Sequence, residues 1–146
     1  MSSPVEDALD VFSQKFNCSQ SVFSAFATRL GLDKETALKL ASPFGGGVAR
    51  RGEICGAVSG ALLVLGLARG ADEPAGKDEI YRLSQEFMRL FEEKHDTVIC
   101  RDLLSCDIGT PDGWQMAKEA GKFTTICPAL VRDAAEIVQT FLNQPA

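Results

Sequence analysis

The sequence predicts an all-α fold, a compact single-domain bundle of six or seven helices. Apolar residues recur three and four positions apart through most of the chain, which is the spacing of amphipathic helices. Ser, Asn, Asp and Thr residues stand where such segments begin, and Gly or Pro stands where they end. The 146 residues have the length of one domain with a sizeable core, so we expect a single domain over 1–146.

The first helix begins at a capping sequence. Ser3 is expected as its N-cap, Pro4 as its first residue and Glu6 as the partner that completes a capping box. Its apolar stripe consists of Val5, Ala8, Leu9 and Phe12. We expect this helix to end near Phe16.

Two further helices follow before the chain becomes rich in glycine. Asn17 and Gln20 form a second capping box, which places Cys18 at the first position of the second helix. A short third helix, after an Asp N-cap, is expected over 34–41 and ends before Pro43.

The stretch 44–67 is the centre of the predicted fold. It begins as a loop that is too rich in glycine to be helical, because Gly45, Gly46 and Gly47 are consecutive. Glycine allows positive φ angles and a close approach of the backbone to another group. We therefore expect these three glycines to contact a bound cofactor.

The second part of this stretch predicts a buried helix from about Ile54 onward. Gly56 and Gly60 lie on one face of it, because residues four apart in a helix share a face. Each costs about 1 kcal/mol relative to alanine, so we expect another backbone or a cofactor against that face. Cys55 lies in the first turn, and we predict that it belongs to a site.

The longest helix is expected over 77–94, where apolar residues alternate with charges at helical spacing. The segment 97–104 begins with β-branched residues and predicts one or two extended residues followed by a short helix. It carries Cys100.

Two more helices complete the prediction. Thr110 precedes Pro111 and predicts a helix that Gly121 ends. The last helix begins at Cys127, expected as the N-cap, with Pro128 as its first residue.

Composition and charge disfavour several classes of partner. The net charge of −5 argues against nucleic acid, because phosphate contacts require clustered Lys and Arg. Residues 1–14 are polar and acidic, so we expect no signal peptide. The apolar run 54–68 is too short to span a bilayer. We predict a cytoplasmic protein that binds neither nucleic acid nor a membrane.

The chain is cysteine-rich, with cysteines at 18, 55, 100, 106 and 127. Cys18, Cys55 and Cys127 fall at or just inside predicted helix N-termini, and Cys100 is a candidate for the same position. Unpaired N–H groups and the helix dipole favour a thiolate there. Cysteines so placed have lowered pKa values and are reactive or bind metals. The alternative is that each is simply a small buried apolar residue.

The spacing of the cysteines matches no local motif. C-x-x-C pairs and ferredoxin runs are absent, and so is the C-x-x-C-H sequence that attaches haem. A site built from these residues must be assembled by the fold from distant segments.

Other candidate residues are weaker. His95 lies in a charged helix end, which favours a solvated side chain over a ligand. Glu53 is a potential general base for Cys55, but a Glu near a helix start is usually a partner of the dipole. Trp114 is assigned to the core. The glycine loop lacks the Lys-Ser/Thr of a phosphate-binding loop.

Several short motifs occur together in one order along the chain: Asn17-Cys-Ser-Gln20, Phe44-Gly-Gly-Gly47, Gly52-Glu-Ile-Cys-Gly-Ala-Val-Ser-Gly60, Cys100-Arg-Asp-Leu-Leu104, Cys127-Pro128 and Arg132-Asp-Ala-Ala-Glu136. Over about residues 12–142 this order resembles the C_GCAxxG_C_C family of redox-active proteins. The label of that family places Gly before Cys, whereas here Cys55 precedes Gly56.

The resemblance implies a set of functional residues. The four cysteines that define the family match Cys18, Cys55, Cys100 and Cys127 by position, and Cys106 lies outside the pattern. The family is also similar to the part of split-Soret cytochromes that is associated with a non-haem iron–sulfur centre. By this resemblance the four cysteines are expected to bind an iron–sulfur cluster, with [2Fe–2S] favoured.

Three alternatives stay open at this point. Two helix-start cysteines could cycle between dithiol and disulfide without metal. The same four could hold a structural or transport-linked zinc ion. The chain could also be a helical interaction protein with unremarkable cysteines. Enzymatic activity is left open; the expected partners are a redox protein of unknown identity and, from the face of Gly56 and Gly60, a second copy of the chain.

Overall fold

The computed structural model describes residues 2–145 and confirms the all-α fold. Its helices are α1 (Pro4–Ser13), α2 (Cys18–Ala27), α3 (Lys34–Ala41), α4 (Gly56–Arg69), α5 (Lys77–His95), α6 (Cys100–Leu103), α7 (Pro111–Glu119), α8 (Lys122–Thr125) and α9 (Cys127–Asn143). Seven of these have eight residues or more, whereas α6 and α8 are four-residue segments. Three 3₁₀ turns lie at Thr28–Leu30, Ser42–Phe44 and Pro74–Gly76.

The predicted caps form at most helix starts. The Ser3 hydroxyl accepts a hydrogen bond from the Glu6 N–H, at 3.1 Å, but the Glu6 side chain does not accept one from the Ser3 N–H, so the predicted capping box of α1 is only half formed. Asn17 and Gln20 form the complete capping box of α2. The end of α1 was predicted too late. The helix stops at Ser13, and Lys15 takes a φ of 79°, a left-handed conformation that a helix cannot continue through.

Helices α2 and α4 pack together at the centre of the fold. A Cβ atom added at Gly60 would lie 2.7 Å from the Ser19 carbonyl oxygen, and one at Gly56 would lie 3.2 Å from the Ser19 N. The expectation that another backbone lies against this glycine face is therefore confirmed, and that backbone is α2 of the same chain. The homodimer stays a prediction, without the support of a free glycine face.

The core extends from α4 to α5 and α9. Leu65 of α4, Phe87 of α5 and Val138 of α9 are fully buried. Phe87 lies 6.5 Å, between ring centroids, from both Phe91 and Phe141. Burying such a side chain stabilises the fold by about 1.5–3 kcal/mol, so these three helices form a stable support for the segments that begin at Cys55 and Cys127.

Two further structural findings bear on the predictions. The described residues form no strand, and Ile54 and Ile99 form an isolated antiparallel bridge. None of the helices within 2–145 has both the length and the apolar character that crossing a bilayer requires.

Candidate functional site

Four cysteines stand at helix starts, as the sequence predicted for three of them and suggested for the fourth. Cys18, Cys100 and Cys127 are the first residues of α2, α6 and α9, and Cys55 is the N-cap of α4. Cys127 differs from the prediction by one position, because Ile126 occupies the N-cap. Cys100 therefore shares the helix-start position of the other three cysteines.

The same four cysteines line one cavity of about 550 Å³. They come from four separate segments of the chain, so the fold alone brings them to one wall. The glycines Gly45, Gly46, Gly47 and Gly56 also line the cavity. Gly60, which we expected to contact a cofactor, instead faces Ser19 and Val22 of α2. Cys106 lies outside the cavity wall.

Two of these glycines allow the cysteine-bearing segments to approach. A Cβ at Gly47 would lie 2.6 Å from the Cβ of Cys100, and a Cβ at Gly56 would lie 3.3 Å from the Cβ of Cys18. Gly45 lies against the Asn17 side chain, with a φ of −71° rather than a positive one. The role the structure gives these glycines is close packing around the cysteines.

Backbone hydrogen bonds link the segments of Cys55 and Cys100. The Cys55 N–H donates to the Val98 carbonyl at 2.8 Å, and the Cys100 N–H donates to the Glu53 carbonyl at 2.6 Å. These bonds flank the bridge between Ile54 and Ile99. The extended residues that the sequence predicted before α6 therefore serve to hold two cysteines beside each other.

A left-handed turn forms the rim of the cavity. The φ angles are 64° at Gly46, 68° at Gly47, 66° at Val48, 52° at Ala49 and 63° at Arg50. This conformation costs about 1–2 kcal/mol for each residue other than glycine, and a β-branched residue such as Val48 rarely adopts it. Strain of this kind concentrates at functional sites. The turn is closed by hydrogen bonds from Ala49 N–H to Pro43 O and from Glu53 N–H to Gly47 O, each 2.8 Å.

The expectation of lowered thiol pKa values is wrong for three of the four cysteines. Burial raises the pKa of Cys55 to about 11, although the N–H groups of Ala57 and Val58 favour its thiolate. Burial, with the negative charge of neighbouring thiolates, raises the pKa of Cys100 to about 12. Desolvation therefore exceeds the effect of the helix N-terminus at these sites.

The remaining two thiols act as a pair. A hydrogen bond from the Cys18 thiol stabilises the thiolate of Cys127, which lowers the pKa of Cys127. The same contact, together with burial, raises the pKa of Cys18 well above its usual range. The pair therefore favours one thiolate over two, because the second thiolate would face the negative charge of the first.

The side chains are not arranged around a single point. Within residues 2–145, no group of three or more Cys, His, Asp or Glu side chains has the geometry to hold one metal ion. All five cysteines are free thiols. The reactive groups of the cavity are therefore the paired thiols of Cys18 and Cys127 and the two further thiols of Cys55 and Cys100.

The family model described as "Putative redox-active protein (C_GCAxxG_C_C)" matches residues 16–141. The chain belongs to the C_GCAxxG_C_C family. The resemblance drawn from the sequence motifs is thereby confirmed. No curated protein and no solved structure is significantly similar to it.

The C_GCAxxG_C_C label contains four cysteines, the same number that lines the cavity. The fifth, Cys106, is partly buried and packs against the small apolar cluster that contains Cys100 and Cys127. It is close to the site without facing the cavity, so it serves as a natural control residue.

Sequence reasoning missed several residues of the cavity wall, among them Lys15, Arg50 and Trp114. Trp114 was assigned to the core, whereas it is only partly buried and the Arg50 guanidinium lies over its ring, 5.1 Å from the centroid. No local signal marks Lys15, which reaches the cavity because α1 ends before it.

The structure also corrects the prediction for His95. The ring is only 19% exposed, and its Nε2 lies 2.8 Å from Oδ2 of the buried Asp133. It also contacts the Phe91 ring, with 4.8 Å between centroids. His95 does not line the cysteine cavity. Glu53 pairs with Arg51 at 2.6 Å.

Proposed function

We propose that this protein binds an iron–sulfur cluster, [2Fe–2S] by preference, through Cys18, Cys55, Cys100 and Cys127, and that it transfers electrons or senses redox state. The observation that supports this most is the meeting of four cysteines from four separate segments on one cavity wall. The wall includes no His, Asp or Glu, so thiolate is the only strong ligand it offers. Four thiolates are the usual donor set of iron–sulfur clusters.

The surroundings of the thiols fit such a group. Three of the four cysteines are buried, and the rest of the wall includes apolar residues such as Leu104 and Ile108. The unpaired N–H groups at helix starts are suited to donate hydrogen bonds to sulfur. A bound cluster supplies one-electron redox chemistry, and burial and hydrogen bonds to sulfur set its potential.

The zinc alternative has less support. A single zinc ion requires four sulfurs at about 2.3 Å from one point, and no group of three ligands within 2–145 is arranged in this way. A cluster spreads its four cysteines over more than one iron. The spacing of these thiols around a roomy cavity favours the larger group.

A dithiol function is the second candidate, because Cys18 and Cys127 line the same cavity and the Cys18 thiol favours the thiolate of Cys127, which lowers the pKa of Cys127. The Cys127 thiolate would attack a disulfide of a partner protein, and one partner sulfur would leave as a thiolate. The Cys18 sulfur, after losing its proton, would then attack Cys127 and release the second partner sulfur. The products are one disulfide here and two thiols in the partner.

Both candidates require a partner. We propose a redox protein that docks near the cavity, and a cytoplasmic setting, because reducing compartments keep such thiols free.

The deciding experiment is anaerobic purification followed by visible absorption, with iron, acid-labile sulfide and zinc quantified. The matched variants are Cys55→Ser, inside the cavity, and Cys106→Ser, outside it. We expect iron and sulfide in equal amounts, lost in Cys55→Ser and retained in Cys106→Ser. Iron-free protein that forms a disulfide between Cys18 and Cys127 on mild oxidation would replace the cluster proposal with the dithiol one.

A further inference from the structure

We propose that the mouth of the cysteine cavity binds a small organic anion, with its charged group between Lys15 and Arg50 and its apolar body inside. This goes beyond the redox function, because the residues that would bind the anion are not the cysteines. The two proposals share a cavity, and each can hold without the other.

The first observation is the size and lining of the cavity. Its volume of about 550 Å³ lies within the range of small-molecule pockets. Beyond the thiols, its wall includes the aromatic rings of Phe12, Trp114 and Phe123. A ligand with an apolar or planar body would be stabilised by contact with these rings.

The second observation is the sign of the charge. The chain carries a net charge of −5, yet the charged residues on the cavity wall are both cations, Lys15 and Arg50. Neither forms a salt bridge to the side chains that the structure describes, whereas the adjacent Arg51 is paired with Glu53 at 2.6 Å. Both wall cations are thus available to an incoming anion.

The third observation is how Arg50 is held. It is the last residue of the left-handed turn, with a φ of 63°, and its guanidinium carbon lies over the Trp114 ring, 5.1 Å from the centroid. This cation–π contact restrains the guanidinium and leaves its N–H donors free for a carboxylate, sulfonate or phosphate. The strained backbone of Arg50 therefore places an ordered guanidinium at the mouth of the cavity.

The backbone of the same turn adds donors. The N–H groups of Gly46 and Gly47, both on the cavity wall, have no hydrogen-bond acceptor within residues 2–145. Successive free N–H groups in a turn form a concavity that favours anions. They complement the two side-chain cations but are secondary to them.

The probe for the test is 8-anilinonaphthalene-1-sulfonate, and its uncharged counterpart is N-phenyl-1-naphthylamine. Binding is measured by calorimetry on the anaerobically purified protein. Fluorescence of Trp114, the one tryptophan of the chain, reports whether the probe is in this cavity. The variants are Arg50→Gln and Lys15→Gln, with Arg51→Gln as the control for a lost charge on the neighbouring residue. Far-ultraviolet circular dichroism checks that each variant is folded.

We expect the sulfonate to bind and to change Trp114 fluorescence, and the uncharged compound to bind at least tenfold more weakly. Arg50→Gln should weaken sulfonate binding about tenfold, as for a lost charge-assisted hydrogen bond, and Arg51→Gln should alter it less than twofold. Arg50→Lys should restore part of the affinity. Equal binding of both compounds, or equal effects of Arg50→Gln and Arg51→Gln, would overturn the proposal.

The Cys55→Ser variant separates this proposal from the redox function. Sulfonate binding that persists in protein without iron supports the anion site and leaves the cluster to its own test. Folded, iron-free Cys55→Ser protein that fails to bind the sulfonate overturns the anion site alone, because no cluster then fills the cavity.

Discussion

The backbone of Gly47 lies directly against the side chain of Cys100. A Cβ at residue 47 would be 2.6 Å from the Cβ of Cys100 and 2.6 Å from the backbone N of Glu53, both closer than non-bonded atoms can be. The φ of Gly47 is 68°, so a side chain there is disfavoured by the backbone as well. The position of Cys100 therefore requires a glycine at residue 47, and the glycine loop packs directly against Cys100.

Replacing Gly47 with alanine should disrupt the site. Left-handed strain and overpacking together should lower the free energy of unfolding by about 2–5 kcal/mol, which urea denaturation would measure. The control is Gly31→Ala, since Gly31 has a φ of 93° but no atom within 4 Å of an added Cβ. That variant should lose only about 1–2 kcal/mol. Equal losses in the two variants would contradict the close contact with Cys100.

Two glycines of α4 should respond in opposite directions to alanine. Gly60→Ala would place a Cβ 2.7 Å from the Ser19 carbonyl oxygen, and separating α2 from α4 should cost about 1–2 kcal/mol more than the gain in helix propensity. Gly66→Ala meets no atom within 4 Å and should stabilise the protein by about 0.5–1 kcal/mol. Thermal unfolding of both variants checks the pair. A Gly60→Ala variant more stable than the original protein would contradict this prediction, because it would show that α2 can move away from α4 with no loss of stability.

The Asp133 carboxylate should stabilise the fold through its buried contacts. It is 12% exposed and lies 2.8 Å from His95 Nε2 and 3.1 Å from Arg132 Nε. Asp133→Ala leaves the buried ring of His95 without its partner, at a cost of about 1–3 kcal/mol. Glu136→Ala, three residues further on the exposed side of α9, is the control and should change the unfolding free energy by less than about 0.5 kcal/mol. The cysteine cavity should be unaffected in both variants, as judged by iron content.

Local sequence signals predicted the helix starts well. The caps Ser3, Asn17, Asp33 and Thr110 each accept a hydrogen bond from the first turn of their helices. These signals act within three residues of one another, so no knowledge of the fold is needed. The placement of Cys18 and Cys127 at helix starts followed from the same caps and from Pro128.

The features that were missed depend on tertiary structure. Val48 and Ala49 give no local sign of a left-handed turn, because both residue types disfavour positive φ in isolation. The turn is stabilised by hydrogen bonds to Pro43 and Gly47 and by its packing against Cys100. The raised pKa values of Cys55 and Cys100 likewise come from burial, which periodicity in the sequence cannot measure.

Cys127, paired with Cys18, should be the most reactive of the four cavity thiols in the metal-free protein. Because the pKa of Cys127 is lowered and those of Cys18, Cys55 and Cys100 are raised, Cys127 carries the largest thiolate fraction near neutral pH. Iodoacetamide should therefore modify Cys127 first among the four, at a rate that falls as the pH drops through the pKa of Cys127. Peptide mass spectrometry of the Cys106→Ser variant would follow this modification without interference from the fifth thiol.

Adding Cys18→Ala removes the hydrogen-bond donor and should slow the reaction of Cys127 at neutral pH, whereas Cys18→Ser retains a donor and should slow it less. Preferential modification of Cys55 or Cys100 would show that burial does not control these thiols.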